Sequence, residues 1–335
     1  MMERTEAQIM KNWGQQKFPL ISIVCITYNH ELYIKDAIEG FLKQETNFPF
    51  EIIIHDDAST DRTVEIIKSY TQKYQNIIKP IFQKENQFSQ YRKNALLIAI
   101  SYAKGEYIAC CEGDDYWIDS QKLNFQITEM QNNSECDISF HPILRRCANG
   151  KKREKILSNH ADHNKIFTTR QVILGEGGFC PTVSLVVKTT LFKSLPEWFL
   201  DVPIGDYFLQ ILASLSGGAL YINKVMSVYR EGSLGSWSER MAKDESYAYS
   251  YFIRILKSLD DINTHTKNKY CNEFNIIRKK VCFFMCRNPL LSLEKRRKIF
   301  SENKFDFIHK IMWYLAYQNN NICRLMFIAK NYIFG

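Results

Sequence analysis

Residues 19–29 read PLISIVCITYN, an apolar and β-branched run that lacks the polar alternation of a half-exposed strand. A strand of this kind is buried on both faces, which requires helices on each side of its sheet. The pattern then repeats: FEIIIHDD (50–57) and EYIACCEGDD (106–115) are further apolar runs, and IIKPIFQ (77–83) is a shorter one. Between them ELYIKDAIEGFLKQ (31–44) carries Ile34, Ile38, Phe41 and Leu42 at helical spacing. ASTDRTVEIIKSYTQKY (58–74) reads as a helix with Ser59, Thr60 or Asp61 as its N-cap, and KNALLIAISYAKG (93–105) as a helix closed by Gly105 at the C′ position. Strand and helix alternate throughout. That order predicts an α/β fold, a mostly parallel sheet flanked by helices.

Beyond residue 120 the pattern loosens. CDISFHPILRR (136–146) and CPTVSLVVKTTLF (180–192) read as strands, and KKREK (151–155) as a solvated loop. PIGDYFLQILASLSGG (203–218) reads as a helix capped at Asp206 and stopped by two glycines, and ALYINKVMSVYREG (219–232) as a strand or hairpin. From about residue 240 the chain becomes helical, basic and aromatic. The net charge of +8 is unevenly placed, because residues 271–335 hold 12 Lys/Arg against 4 Asp/Glu and the remainder is neutral overall. This divides the chain into an N-terminal lead segment (1–17), a catalytic body (18–240) and a basic helical C-terminal extension (241–335). No apolar run reaches the length of a membrane-spanning helix, and the N-terminus shows no apolar core of an export signal. The ten cysteines include no Cys-x-x-Cys pair, and several sit within apolar runs, so reduced thiols in a cytoplasmic protein are expected.

Ligands of such sheets sit outside the carboxyl ends of the strands. The residues there are Thr27, Tyr28 and Asn29 after the first run, Asp56 and Asp57 after the second, and Glu112, Gly113, Asp114 and Asp115 after the fourth. Three carboxylates at the tip of a buried strand repel one another and are costly to desolvate, so a cation is expected among them. Neither Gly-x-Gly-x-x-Gly nor Gly-x-x-x-x-Gly-Lys-Ser/Thr occurs, which removes the main support for a classical dinucleotide or P-loop site. A divalent metal, Mn²⁺ or Mg²⁺, needs just one or two carboxylates when substrate phosphates complete its shell. Other clusters read more plainly. Tyr116 and Trp117 are expected to pack under the acidic loop, and Cys282 and Cys286 to face a helical core. His160 and His163 lie in a hydrophilic segment that argues against a metal site.

The stretches ISIVCITYNHELYIKDAI, EIIIHDDASTDRTVEII and AKGEYIACCEGDDYWIDSQKL, in this order, resemble glycosyltransferase family 2, in particular members whose acidic strand ends in Glu-Gly-Asp-Asp-Tyr-Trp. The likeness spans roughly residues 18–240 and implies a GT-A fold. It implies that Thr27, Tyr28, Asn29, Asp56, Asp57 and Asp115 face a nucleotide-sugar, with Asp57 accepting a hydrogen bond from the base. It further implies that Glu112 and Asp114 hold the metal and that Asp206, in IGDYF, is the general base. VMSVYREGSLGSWS (225–238) resembles the segment in which a Tyr-Arg pair precedes a loop near the diphosphate, which makes Arg230 a phosphate or loop anchor. Glu231 and Gly232 stand where many relatives have His.

The expected activity is metal-dependent, inverting transfer of a sugar from a nucleotide-sugar, UDP-linked by the resemblance, to a hydroxyl of a growing surface glycan or lipid-linked oligosaccharide. The competing reading is a non-catalytic nucleotide-sugar-binding or scaffold protein, which would need Asp57 and Asp114 but not Asp206. The basic aromatic tail has two readings: helices lying on the anionic cytoplasmic face of a membrane, or a helical subdomain packed on the body. Nucleic acid is not an expected partner, since no recognisable binding motif accompanies the charge.

Overall fold

The computed structural model describes residues 4–87, 95–148, 150, 153–203, 205–233 and 244–318. The chain divides into two compact units: residues 1–169, 180–195 and 210–233 form the first, and 170–179, 196–209 and 234–335 the second. The stretches 170–179 and 196–209 thus fall in the second unit. Helix Gly205–Ser214 contributes residues to both units.

The first unit is built on an eight-stranded sheet. In chain order its members are β1 (Ile21–Thr27), β2 (Phe50–Asp56), β3 (Ile78–Phe82), β4 (Tyr107–Glu112), β6 (Ile138–Phe140), β9 (Lys165–Phe167), β10 (Val186–Lys188) and β11 (Ala219–Tyr221). Their spatial order is β3-β2-β1-β4-β10-β6-β11-β9. The first four run parallel, as the alternating pattern predicts, whereas β10 is antiparallel to both neighbours and β9 to β11. Along β1, Ile21, Ile23, Val24 and Cys25 are buried, and β2 is buried at every position. Each such aliphatic side chain contributes about 1.5–3 kcal/mol relative to exposure. Helix Ile34–Leu42 closes over one face with Ile34, Ile38 and Phe41 fully buried.

A second, four-stranded sheet, in the order β5-β12-β7-β8, joins β5 (Tyr116–Trp117), β12 (Ser227–Glu231), β7 (Ile143–Cys147) and β8 (Lys155–Leu157). It accounts for several departures from the sequence reading. The run 136–146 splits at His141-Pro142 into β6 and β7, which belong to different sheets; proline cannot supply a ladder N–H. Likewise 219–232 is two strands in two sheets rather than a hairpin. The run 180–192 holds a 3₁₀ turn (Thr182–Ser184), β10 and the start of helix Thr189–Lys193. Gly105 is no helix cap, because the helix ends at Ile100; a Cβ there would lie 2.5 Å from the Ser22 nitrogen. That close approach of backbone to β1 is what requires glycine.

The second unit is helical: Glu245–His265, Cys271–Arg287, Leu293–Glu302 and Phe307–Gln318. Asp244 caps the first by accepting from the Tyr247 N–H at 2.9 Å, and Ser292 the third. Cys282 and Cys286 are buried in its core, as expected. All nine described cysteines are free thiols. Among the described residues no helix is long and apolar enough to cross a membrane.

Candidate active site

The parallel register brings the predicted strand ends together. Thr27 pairs with Asp56, Ile26 pairs with Glu112, the Asp57 N–H donates to the Thr27 carbonyl at 3.0 Å, and the Gly113 N–H to the Ile26 carbonyl at 2.8 Å. Thr27–Asn29, Asp56–Asp57 and Glu112–Asp115 thus share one edge of the sheet.

The loops after β1 and β2 are tied to each other. Asn29 adopts a left-handed backbone (φ 55°), a conformation short polar side chains tolerate. Its N–H donates to Ser59 Oγ and its Oδ1 accepts from the Thr60 N–H, both at 2.8 Å. The His30 N–H donates to Thr63 Oγ1, and the Glu31 N–H to Asp61 Oδ2. Ser59 and Thr60 are consequently spent on these loops, while Asp61 serves both the loop and the helix start, its Oδ1 accepting from the Thr63 N–H at 3.0 Å; none of the three occupies the N-cap position itself. The helix starts later, at Thr63, with Arg62 preceding it.

Asp56 is buried and accepts from the Ser59 N–H and hydroxyl, and its burial raises the carboxyl pKa against the pull of those bonds. Asp57 Oδ1 accepts from the Gln87 N–H at 2.8 Å, and its carbonyl accepts from Asn86 Nδ2 at 3.1 Å. Tyr28 is 40% exposed.

The acidic turn is held from beneath and from the second sheet. Glu112 is exposed at the end of β4. Gly113 fits where no side chain would: a Cβ would stand 2.6 Å from Thr27 Oγ1 and 2.9 Å from His30 Nδ1. Asp114 Oδ2 accepts from the Ser233 hydroxyl. Asp115 is buried and its Oδ1 accepts from the Arg230 N–H at 2.8 Å. Burial, followed by the charges of Asp114 and Glu112, pushes its carboxyl well above the usual range. Arg230, on β12, donates from its guanidinium to the Asp114 carbonyl at 2.8 Å and to the Asp36 carboxylate. Its guanidinium carbon lies 4.4 Å from the centroid of the Tyr116 ring and 5.1 Å from that of Tyr33. Burial lowers the His30 pKa, with Asp114 the leading opposing charge.

Trp117 packs under the loop as expected, edge-on to Phe41 at 4.8 Å, whereas the Tyr116 ring meets the Arg230 guanidinium in a cation–π contact. Beneath Trp117 lies Lys122, fully buried, its ammonium 4.2 Å from the indole centroid and 2.6 Å from Gln126 Oε1. His160 packs among Phe140, Phe167 and Tyr221, consistent with a structural role. Among the described residues no group of three or more His, Cys, Asp or Glu is arranged around a metal position. Two carboxylates beside a phosphate-bearing ligand do not need a third.

Asp206 belongs to the second unit, in the first turn of helix Gly205–Ser214 rather than at its N-cap. It accepts from the Tyr207 N–H at 2.8 Å, and its charge adds to burial in raising the Tyr251 hydroxyl pKa. Residues from 234 onward in the segment after Arg230 lie outside the described residues until 244. Asp36, Tyr33, His30, Ser233 and Lys122 are not among the residues to which the sequence points. His30 stands inside the quoted TYNHELY and was legible there; Asp36 and Lys122 look like ordinary surface-helix charges until the tertiary contacts are known.

This mostly parallel sheet with helices on both faces, an antiparallel β10 beside β4, and an acidic turn at the carboxyl edge defines the GT-A fold. Residues 22–194 match the model of glycosyl transferase family 2. The chain belongs to that family. An uncharacterised protein of Mycobacterium tuberculosis is 34% identical over 256 residues, covering 74% of this chain and 70% of that protein. A Bacillus subtilis protein, TuaG, named for glycosyl transfer in teichuronic acid biosynthesis, is 32% identical over 250 residues, covering 73% of this chain and 92% of its own. Among solved structures, S. aureus TarS 1-349 in complex with UDP-GlcNAc superposes with a TM-score of 0.54 at 20% identity. That superposition covers 72% of this chain and 66% of TarS 1-349, just under two thirds, and the likeness is one of fold.

Proposed function

We propose that this chain is a metal-dependent, inverting glycosyltransferase that moves a sugar from a UDP-sugar to a hydroxyl of a surface glycan or lipid-linked oligosaccharide. The observation that carries the reading is the convergence of Thr27–Asn29, Asp56–Asp57 and the Glu112–Asp115 turn at one sheet edge, with Arg230 bonded into that turn. In this reading Asp57 and the β1 end receive the nucleoside, and Tyr28 lies beside it. Asp56 holds the Ser59 turn and Asp115 holds Arg230, so both shape the site from below. Glu112 and Asp114 are the oxygen ligands suited to Mn²⁺ or Mg²⁺. When bound, the ion supplies Lewis-acid stabilisation to the departing diphosphate. Asp206 accepts the proton of the acceptor hydroxyl, and a single displacement inverts the anomeric carbon. The name of the related TuaG supports a cell-surface polysaccharide as the acceptor class, and a lipid-carried acceptor would bring the protein to the cytoplasmic face of a membrane.

The test is nucleoside diphosphate release from a panel of UDP-, dTDP- and GDP-sugars with Mn²⁺ or Mg²⁺, run beside Asp114→Ala and Asp206→Asn. Release from one donor, lost in Asp114→Ala, supports the transferase reading. Donor binding that survives Asp206→Asn, without release even when membrane lipid extract is added to the wild type, identifies a binding protein instead. Binding of none of the donors refutes both.

A further inference from the structure

Helix Phe307–Gln318 has two apolar sides. On the inner side His309 meets the Phe283 ring edge-on at 4.3 Å and Trp313 stacks on Phe300 at 4.8 Å. On the other side stand Phe307, Ile308, Ile311, Tyr314 and Leu315, exposed by 46% (Ile311) to 76% (Phe307). At the α-helical turn these five fall within an arc of about 120°. Every other described helix carries at most one large exposed apolar residue. A face this wide, contiguous and aromatic is unfavourable in water and calls for a partner.

Charge selects the partner. Residues 271–335 carry the whole of the chain's net +8, and exposed Lys304 and Lys310 flank the apolar arc. The nearest acid, Asp306, is bonded to His309 at 2.6 Å. A second copy of this chain would set one strongly basic surface against another. An anionic lipid surface takes the apolar arc into its headgroup boundary and attracts the lysines, the arrangement of an interfacial amphipathic helix. We propose that the Phe307, Ile308, Ile311, Tyr314 and Leu315 face of this helix docks the protein on anionic membrane. This deepens the lipid-carried acceptor reading, but its test contains neither donor nor acceptor, so the two can fail separately.

The test is flotation of the full chain with vesicles of phosphatidylcholine alone or mixed with phosphatidylglycerol. Wild type is expected to float with the mixed vesicles, at least about tenfold more than with phosphatidylcholine alone, and less as salt rises. Ile311→Ser/Leu315→Ser, both at exposed positions, is expected to reduce partitioning by about tenfold or more with an unchanged melting midpoint. Lys304→Glu/Lys310→Glu, which leaves the apolar arc intact, is expected to weaken binding to the mixed vesicles alone. Absence of wild-type flotation overturns the proposal, as does equal flotation of wild type and both variants. A wild-type dimer in light scattering that Ile311→Ser/Leu315→Ser splits assigns the face to a second copy and overturns it too.

Discussion

Replacing Lys122 by Met should flatten the pH dependence of stability between pH 7 and 9. Burial lowers the Lys122 pKa from 10.5 to about 7, against small opposing effects of Cys111 and Cys110. Its ammonium faces Gln126 Oε1 and the Trp117 ring, and His141, itself neutralised by burial, lies within its field. A base whose folded pKa lies below its unfolded pKa binds fewer protons when folded, so its contribution to stability rises with pH across that interval. With a folded pKa of about 7, ionised Lys122 costs about 4 kcal/mol at pH 7, and about 2 kcal/mol of this is recovered by pH 9. Met removes the cost, but strands Gln126 Oε1 (about 1–3 kcal/mol) and forfeits the cation–π contact (about 2 kcal/mol). The terms nearly cancel at pH 7, so a single midpoint there discriminates poorly, whereas the slope discriminates well. Urea unfolding followed by tryptophan fluorescence at pH 7, 8 and 9 should show wild type gaining about 2 kcal/mol on Lys122→Met. The burial-raised thiol of Cys25 is common to both proteins and drops out of the difference, and burial holds Cys111 protonated across this interval with or without the neighbouring lysine. Parallel curves for the two proteins would refute the reasoning.

Gly113→Ala is expected to lower donor turnover by about tenfold or more while circular dichroism stays native, because the new Cβ must displace Thr27 Oγ1 and His30 at the donor edge. Arg230→Lys keeps the charge but loses the guanidinium seated over the Tyr116 ring and the fork to Asp36 and the Asp114 carbonyl; a rise in KM for the metal and donor is expected, read in titrations of each. Asp206→Asn is expected to lower the transfer rate by about 10²–10⁴ with donor affinity retained in calorimetry. Chelation of divalent ions should stop diphosphate release, and Mn²⁺ or Mg²⁺ should restore it.

The convergence of the candidate site's residues was legible because its signals are local. An apolar β-branched run ending in Thr-Tyr-Asn, Asp-Asp or Glu-Gly-Asp-Asp marks both a doubly buried strand and its carboxyl end, and parallel order then aligns the ends. Helix starts were less legible. Ser59, Thr60 and Asp61 have the chemistry of caps, yet the β1 loop takes the Ser59 hydroxyl, the Thr60 N–H and one Asp61 oxygen, leaving Asp61 Oδ1 to bond the Thr63 N–H at the helix start. The strand composition of 136–146 and 219–232 was similarly divided between two sheets, by which of them could pair with each segment.

Composition, order and patterning by themselves determined the α/β class, the sheet edge that carries the acids, and the basic helical end of the chain, since these follow from residue periodicity and charge alone. The tertiary structure decided what those acids lean on. Asp115 and Arg230 are 115 positions apart, and their bond exists because β5 and β12 pair in a second sheet with no short-range signature. The same holds for Lys122, a residue like any surface lysine in sequence, whose charge is buried because Trp117 folds over it. Long-range pairing and burial set these energies, and neither is written in any local stretch of chain.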